Sequence, residues 1–413
     1  MSRLHESRRH FPALARQIDG RTAVFFDGPA GSQVPQSVID AISDYLINHN
    51  ANHGGSFATS RESDAIVART RRSLAMFLNA SDPDEISFGA NMTTLTFALS
   101  RALAATWQPG DEVIVSRLDH DANVSPWVRA AADRGVTVKH VEVRKEDCTL
   151  DLDDLQRKLS PRTKLVAVGC ASNAVGTRNP VKQIAQWVHA VGALVFLDAV
   201  HLAPHAPIDV ADWDCDFLIC SAYKFFGPHI GIQWSRRKLL ETLPAYKVRP
   251  AAETLPDRWM TGTQNFECIA GVDAAVEYLF DLCAERIGRH ERTRQNFVDG
   301  FSSIVHEERQ MGKHLIEDLM SLPGVKVWGI TDSNRFGERV PTVSFTHATI
   351  KPRRIAEFLG ERGIFVWHGN YYALPLTEAL GVEPDGMVRV GLLHYNTHDE
   401  VDQMIEELKR LFA

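Results

Sequence analysis

The stretch Cys220-Ser-Ala-Tyr-Lys-Phe-Phe-Gly-Pro228 places Lys224 among aromatic residues, directly after the apolar run 217–220. Such a run is typical of a buried strand. Lysines are rarely buried without a partner or a function. Desolvation lowers the pKa of the amine and makes it a nucleophile suited to Schiff-base chemistry with an aldehyde. A lysine that extends to the surface from a strand end is the structural alternative, and this stretch alone leaves both interpretations open.

A second apolar run, Ala193-Leu-Val-Phe-Leu-Asp198, ends in a carboxylate and is followed by Ala199-Val-His201. Asp198 could cap the next helix. It could instead keep a pyridinium nitrogen protonated, which pyridoxal phosphate needs if its ring is to act as an electron sink. An aspartate after one strand and a lysine after the next would converge at one edge of a sheet. Together, Asp198 and Lys224 are a stronger signal than either residue alone.

Residues 85–235 alternate apolar, β-branched runs with helical stretches. Runs typical of buried strands are 113–116, 136–143, 165–168, 193–197 and 217–220. Helices are predicted at 151–159, which opens with Asp151, and at 181–191, which follows Pro180. This alternation predicts a largely parallel sheet covered by helices on both faces. Ligands of such sheets bind outside the carboxyl ends of the strands.

The pattern changes after about residue 265. Residues 268–320 are mostly helical and rich in charge, which we interpret as solvated helix faces, and they end at Leu322-Pro-Gly324. The rest of the chain predicts strands at 325–330, 342–345, 364–367 and 387–392, and helices at 352–362 and 398–412. We therefore expect an N-terminal arm at 1–24 that is part of the small domain, a large domain at 25–280, and a helical connector with the small α+β domain at 281–413.

Composition narrows the class of protein. Of 413 residues, 44% are hydrophobic and 23% are charged, which allows a substantial core. A net charge of −7 argues against bulk binding of nucleic acid. Six cysteines without a CxxC pair are too sparse for a disulfide scaffold, and we expect no metal. No apolar stretch resembles a signal peptide or a membrane span, so we expect a cytoplasmic enzyme without a membrane partner.

These motifs and their spacing resemble a known family. From Phe25-Phe-Asp-Gly-Pro-Ala-Gly31 to the terminal helix, the chain is similar to the class V aminotransferases, which are fold-type I pyridoxal-phosphate enzymes, and most similar to their cysteine desulfurase-like branch. The segments in the family's order and spacing are Ser172-Asn-Ala-Val-Gly-Thr177, Asp198-Ala-Val-His201, Ser221-Ala-Tyr-Lys224 and His394-Tyr-Asn-Thr397. The resemblance implies an α/β fold, a large and mostly parallel α/β/α sandwich with a smaller C-terminal α+β domain. It also implies pyridoxal 5'-phosphate as cofactor.

The resemblance assigns roles residue by residue. Lys224 matches the lysine that bonds covalently to the cofactor, and Asp198 matches the partner of the pyridine nitrogen. His201 stands where desulfurases usually carry a glutamine near the phenolic oxygen. His120 matches the histidine that stacks on the ring and can relay protons. Asn173 matches a side chain that reaches the phenolic oxygen or the substrate carboxylate. The catalytic residues expected on this basis are Lys224, His120 and Asp198.

Phosphate and substrate contacts follow from the same resemblance. Asn91-Met-Thr-Thr94 should open a helix whose terminal amides, with the Thr93 hydroxyl, suit an anion, although an ordinary threonine cap is the alternative. Arg389 matches the arginine that clamps an amino-acid carboxylate, and a surface arginine is the alternative. The other expected cofactor contacts are Met92, Ser221, Tyr223 and Thr263, of which Thr263 would reach across from the second subunit of a homodimer with a composite site. The other expected substrate contacts are Ala30, Gly31, Asn173 and Tyr372.

The sequence departs from the desulfurase pattern at the mobile loop. Desulfurases carry a cysteine there that attacks the substrate sulfur and becomes a persulfide. The matching stretch is Val366-Trp-His-Gly-Asn-Tyr-Tyr-Ala-Leu-Pro375, with Tyr372 at or near that position. No cysteine follows Cys283, and a phenol cannot form a persulfide. Asn52-His-Gly-Gly-Ser-Phe57 also lacks the arginine of the matching desulfurase stretch.

We therefore predict a pyridoxal-phosphate enzyme that acts on a small L-amino acid and cleaves a Cβ–S or Cβ–X bond without persulfide chemistry. The same groups support transamination, epimerisation or racemisation at Cα, and decarboxylative aldol-type chemistry. A cofactor-binding regulatory protein is the non-enzymatic alternative. The presence of Lys224, Asp198, His120 and Arg389 together argues against it, because a protein without catalysis has no physical need for that set.

Overall fold

The computed structural model describes residues 4–413. Its central feature is a seven-stranded sheet in the spatial order β1-β7-β6-β5-β4-β2-β3, in which only β7 runs antiparallel to its neighbours. These strands are β1 Ile86–Gly89, β2 Glu112–Ser116, β3 Thr137–Val141, β4 Thr163–Gly169, β5 Leu194–Asp198, β6 Phe217–Ser221 and β7 Gly231–Ser235. The predicted, largely parallel sheet is confirmed.

Helices pack against this sheet on both faces. Along β5, Val195 and Leu197 belong to one buried cluster and Phe196 to the other, as the alternation of side chains in a strand requires. The eleven labelled helices are α1 Gln36–Asp44, α2 Ala58–Leu78, α3 Met92–Ala104, α4 Ser125–Ala132, α5 Leu152–Lys158, α6 Val181–Ala190, α7 Phe266–Ile287, α8 Arg294–Ser321, α9 Pro352–Gly360, α10 Leu374–Leu380 and α11 His398–Phe412. Shorter helical segments are Leu4–Ser7, Tyr45–His49, Val210–Trp213 and Arg237–Thr242.

A second sheet lies in the C-terminal part of the chain. Its four antiparallel strands have the spatial order β8-β9-β11-β10, and they are β8 Val325–Trp328, β9 Thr342–His347, β10 Trp367–Gly369 and β11 Met387–Gly391. Val24 and Phe26 share the hydrophobic core of this sheet with residues of α8, α9 and α11. We propose the domain limits 1–24, 25–280 and 281–413 on this basis; residues 1–3 of the first segment lie outside the described chain.

The sequence prediction was wrong in two places where an apolar run contains two separate strands. The run 136–143 is interrupted because the Glu142 amide donates to the Asp154 carboxylate at 2.9 Å instead of to a neighbouring strand. The run 364–367 divides because Ile364–Phe365 pairs with Val24–Phe25, whereas β10 pairs with β11. The remaining two-residue strands are Gln17–Ile18, Arg21–Thr22, Val143–Arg144 and Thr149–Leu150.

Three neighbouring strands end where the predicted functional residues begin. In the parallel register of β4, β5 and β6, Asp198 lies opposite Gly169 on one side and Ile219 on the other. Lys224 follows β6 by three residues. The carboxyl ends of these strands therefore form the edge at which a ligand is expected. Among the described residues, no helix combines the length and apolar character of a membrane span.

Candidate active site

Lys224 ends a single helical turn, Ala222–Lys224, directly after β6. Its Nζ donates a hydrogen bond to the carbonyl oxygen of Pro29 and lies 4.7 Å from the centroid of the Tyr223 ring. Burial lowers the pKa of the Lys224 amine from 10.5 to about 7; the nearby Arg389 guanidinium acts in the same direction, and Asp198 opposes it. A large share of this amine is uncharged at neutral pH, which suits a nucleophile or a base.

Asp198 is the last residue of β5 and is 9% exposed. Its Oδ1 accepts the Val200 amide at 2.9 Å, so the capping contact expected as an alternative is present. The second carboxylate oxygen accepts no hydrogen bond from residues 4–413 and is free for a ligand. Burial raises the pKa of Asp198 to about 6, while the Val200 amide and then Lys224 lower it.

His120 and Tyr372 stack on each other with ring centroids 5.4 Å apart. The Nδ1 of His120 accepts the Ala122 amide at 3.0 Å, which assigns the ring proton to Nε2. Burial lowers the pKa of His120 to about 4, with Lys224 and Arg389 acting in the same direction. His120 is therefore neutral at pH 7, able to stack and to donate a hydrogen bond.

His201 is also neutral. It is 4% exposed, and its Nε2 lies 2.9 Å from the Thr342 hydroxyl of β9. Burial holds the pKa of His201 well below its usual range, and the neighbouring His205 acts in the same direction. This contact joins the segment after β5 to the C-terminal sheet.

Arg389 lies in the middle of β11 and is 4% exposed, so it is not a surface arginine. Its Nη1 donates to the carbonyl oxygen of Asn173 at 2.8 Å, and its guanidinium lies 4.2 Å from the centroid of the Tyr371 ring. Burial lowers the pKa of Arg389 to about 10. The amide of Asn173 donates from Nδ2 to the Tyr371 carbonyl at 2.9 Å, and its Oδ1 is buried without a partner among the described residues.

Asp27 is a residue that sequence reasoning missed. Its Oδ1 is buried and takes no hydrogen bond from the described chain, while Arg389 and Lys224 are close enough to lower its pKa. Burial outweighs both and raises the pKa of Asp27 to about 6. Its backbone bridges to Gly391, far along the chain. The sequence does show an acidic residue between Phe26 and Gly28. It lies outside the predicted strands, so nothing in the pattern indicated that it would be buried at the site.

The segment expected to bind the cofactor phosphate lies at the start of α3. Asn91 and Thr94 form a reciprocal capping box, so the cap is made by these residues and not by Thr93. The Met92 amide donates to the Ser221 hydroxyl at 2.9 Å, which leaves the Ser221 proton free to donate. Thr93 is half-buried, and its side chain takes part in no hydrogen bond within residues 4–413.

The other predicted contacts are Ala30, Gly31, Tyr223 and Thr263. Ala30 and Gly31 form a turn on the Asp27 carbonyl, and a Cβ on Gly31 would lie 3.3 Å from the Tyr223 ring. Tyr223 stacks on His229 at 5.0 Å. Thr263 is exposed, and within the described part of the chain it forms no hydrogen bond to a site residue.

Comparison with known proteins agrees with this geometry. The family model named "Aminotransferase class-V" matches residues 24–404. The chain belongs to the class V aminotransferase family. It is 31% identical over 419 residues to a cysteine desulfurase of Pectobacterium atrosepticum, covering 98% of this chain and 97% of that protein. It is 34% identical over 414 residues to "Aminotransferase-like protein FGM3" of Gibberella zeae, covering 97% and 96%.

Solved structures show the same fold. A cysteine desulfurase from Thermococcus onnurineus NA1 superposes with a TM-score of 0.87 at 25% identity, covering 98% of this chain and 97% of that chain. The predicted fold-type I architecture, a large mostly parallel sandwich with a smaller C-terminal α+β part, is confirmed. As a class V family member the protein is a pyridoxal-phosphate-dependent enzyme acting on an amino acid.

The residues present fit this cofactor. A covalently bound pyridoxal phosphate needs an amine with a lowered pKa, a carboxylate for the ring nitrogen and hydrogen-bond donors for the phosphate. Lys224 would supply the first, the second carboxylate oxygen of Asp198 the second, and the start of α3 with Ser221 the third. Asp27 and Asn173 each add a buried oxygen that has no hydrogen-bond partner within residues 4–413.

Proposed function

We propose that the protein is a pyridoxal-phosphate-dependent lyase that cleaves a Cβ–S or Cβ–X bond of a small L-amino acid without forming a persulfide on the enzyme. The observation that carries this proposal is that no cysteine follows Cys283, so the loop 366–375 contains no thiol. The resemblance implies that Tyr372 stands at or near the position of the desulfurase cysteine in this loop. A phenol cannot accept the sulfur atom, so the leaving group must depart as a free product.

The six cysteines offer no replacement thiol. All are free; five are buried and Cys268 is half-buried. Burial raises the thiol pKa of every one of them. The thiolate is the nucleophilic form of cysteine, so these environments favour inert packing over sulfur transfer. Cys170, the cysteine next to the Asp198 backbone, is 1% exposed.

The loop around Tyr372 is held to the site by hydrogen bonds. Tyr371 and Tyr372 both have left-handed backbones, with φ of 56° and 60°. Asn173 holds the Tyr371 carbonyl, and the Asp121 amide donates to the Tyr372 carbonyl at 2.7 Å. Left-handed conformations are costly for bulky residues and persist where surrounding contacts impose them. These contacts support a fixed wall of the substrate pocket, with the Tyr372 ring, 74% exposed, covering His120.

The catalytic roles follow from the charge states. Bound pyridoxal phosphate supplies an electron sink for the electrons released at Cα. Arg389 binds the substrate carboxylate and orients the molecule, with Asn173, Ala30 and Gly31 beside it. With the substrate bound, Lys224 would take up the Cα proton. Asp198 would keep the ring nitrogen of the cofactor protonated, and the neutral His120 would help to hold the ring.

Loss of the β-substituent completes the reaction. The Cα–H electron pair forms the Cα–Cβ double bond, and the Cβ–X bond breaks with its electrons on X. His120 is neutral, so Lys224, which carries the proton taken from Cα, would give that proton to the departing group, and X would leave as HX. The released enamine takes up water to give pyruvate and ammonia. His201, Tyr223, Met92, Thr93 and Ser221 complete the set that would hold the cofactor.

A homodimer is part of this proposal. Thr263 is exposed and forms no hydrogen bond to a site residue within residues 4–413, which is compatible with a contact to the phosphate of a second subunit. The active form is then a dimer. Sedimentation at the assay concentration should show a dimer, and a fully active monomer would exclude the composite site.

Transamination is a second candidate, favoured by the 34% identity to the aminotransferase-like relative. The decisive experiment supplies purified holoenzyme with β-substituted alanines and follows pyruvate together with the released group. The lyase gives pyruvate and the leaving group in equal amounts over many turnovers. A transaminase gives one keto acid per subunit and then stops until a second keto acid is added. Absence of pyruvate across the panel would contradict the lyase.

A further inference from the structure

Behind the site lies a buried acid that the chemistry above does not use. Glu308 projects from α8, and its Oε2 lies 2.8 Å from Nδ1 of His205. Both side chains are only 2% exposed. Isolated charges are strongly disfavoured at such depth, so a buried pair of this kind is either fully compensated or kept for a specific purpose. It lies in the interior of the protein, away from solvent.

Glu308 lies among all three segments that carry the catalytic groups. His205 follows Asp198 and His201 in the segment after β5, and its ring meets that of His201 edge-on with centroids 5.6 Å apart. The backbone amide of His394, just beyond β11 and Arg389, is close enough to lower the pKa of the Glu308 carboxylate.

The third segment is reached through the ring of His394. Its centroid lies 4.5 Å from that of Phe226, two residues beyond Lys224. Phe226 has a left-handed backbone with φ of 70°, a conformation that needs support in a bulky residue. His394 is itself held from the other side by the Tyr278 hydroxyl, 2.7 Å from its Nε2. We call Glu308, His205, His394 and Tyr278 the rear cluster.

Two polar atoms of the rear cluster have no hydrogen-bond partner among the described residues. Oε1 of Glu308 and Nδ1 of His394 are both buried without a partner in residues 4–413. Packing stability alone would favour apolar side chains at these depths. Buried polar groups that form hydrogen bonds specify one arrangement of the elements around them, since these bonds are directional and strong in a low dielectric.

We propose that Glu308 is a positioning residue that, through His205 and His394, sets the placement of the Arg389 carboxylate clamp relative to the cofactor-holding segment of Asp198 and His201. This inference rests on the proposed roles of Arg389 and Asp198. It assigns no proton transfer to Glu308, which touches neither substrate nor cofactor. Misplacement of a clamp by a small distance weakens binding of the amino acid more than binding of the cofactor.

Glu308→Gln in the holoenzyme tests the proposal, with Glu317→Gln on the same helix as the matched control. Glu317 is 57% exposed and pairs loosely with Lys313 at 3.7 Å. The probe is L-alanine, which has no β leaving group, followed by the visible absorbance of the bound cofactor. We expect the apparent Kd for L-alanine to rise about tenfold in Glu308→Gln, within the range of coupling between sites, and the control to match the parent. Affinity for pyridoxal phosphate should change by less than about threefold.

If Glu308→Gln folds poorly, His205→Gln alone should give the same rise in the Kd for L-alanine. If both single variants fold, the double variant is measured as well. In the proposal Glu308 acts through His205, so the two substitutions should not be additive. The Kd for L-alanine of the double variant should not exceed that of the single variant with the higher Kd. If Glu308→Gln and His205→Gln lower the melting temperature but leave the Kd for L-alanine unchanged, the rear cluster only stabilises the fold, and the proposal is overturned. A parent that does not respond to L-alanine would overturn the Arg389 clamp as well. Normal L-alanine binding without pyruvate from β-substituted alanines contradicts only the lyase function.

Discussion

Arg389 Nη1 donates a hydrogen bond of 2.8 Å to the carbonyl oxygen of Asn173. This contact joins the C-terminal sheet to the segment that follows β4, so two distant parts of the chain meet at one point of the site. The remaining guanidinium nitrogens make no hydrogen bond within residues 4–413 and are available to a substrate carboxylate.

Arg389→Lys should weaken amino-acid binding while the cofactor remains bound. A lysine keeps the charge but loses the planar, paired donors and cannot hold Asn173 and a carboxylate together. We expect KM for the amino acid to rise about tenfold or more, the value of a charge-assisted hydrogen bond. Steady-state kinetics and the visible spectrum measure both effects. The exposed Arg353→Lys is the control, and an unchanged KM would remove Arg389 from the substrate contacts.

Asp198→Asn should retain pyridoxal phosphate and lose most activity. The asparagine oxygen can still accept the Val200 amide, so the local turn is preserved. A neutral amide cannot hold the ring nitrogen protonated, and we expect kcat to fall at least about 10²-fold, as for loss of a preorganised electrostatic contact. Bound cofactor is quantified by absorbance. Activity within a few-fold of the parent would reduce Asp198 to a capping residue.

Reaction of apoenzyme with pyridoxal phosphate should depend on pH through Lys224. The uncharged amine is the reactive form, and burial lowers its pKa to about 7. The rate should therefore rise as pH increases through about 7 and level off above it. With an ordinary lysine, whose pKa is 10.5, the rate would continue to rise to much higher pH. Stopped-flow absorbance measures this rate.

Two variants should shift the pH midpoint of this rate in opposite directions. Arg389 lowers the pKa of Lys224, so Arg389→Met should move the midpoint to higher pH. Asp198 raises that pKa, so Asp198→Asn should move the midpoint to lower pH. Shifts in the opposite directions would mean that these charges do not act on Lys224.

The fold and the cofactor could be predicted because they depend on local patterns. Short apolar runs alternating with helices indicated a parallel sheet, and Asp198 and Lys224 stood directly after neighbouring strands. Asp27 escaped prediction because its environment is made by Arg389 and Gly391, far along the chain. The pairing of His205 with Glu308 escaped for the same reason. Burial of such groups is a property of tertiary packing, which periodicity does not reveal.

Tyr372→Phe should leave kcat within about threefold of the parent, because loss of a true proton donor would cost about 10²–10⁴-fold. The ring would keep its stacking on His120, and only the exposed hydroxyl would be lost. Removal of the ring in Tyr372→Ala should raise KM, as expected for a wall of the pocket. A large fall in kcat for Tyr372→Phe would make the hydroxyl the acid.

Tyr372→Cys should not create an efficient desulfurase. An attacking thiol needs a low pKa, mobility to reach the sulfur and access to an acceptor. The loop is instead held by Asn173 and Asp121. Sulfide or persulfide formation from L-cysteine measures the outcome, and sulfur transfer at a rate comparable to the parent's turnover of its own substrate would show that the loop is mobile.

In the proposed reaction the β-substituent leaves without passing through an enzyme thiol. Treatment of the holoenzyme with L-cysteine and with β-chloro-L-alanine, followed by measurement of pyruvate, alanine and the intact mass of the protein, tests this directly. We predict pyruvate from at least one of the two compounds, no alanine, and an unchanged protein mass. Alanine from L-cysteine, together with one added sulfur atom on a peptide that carries any of the six cysteines, would contradict it.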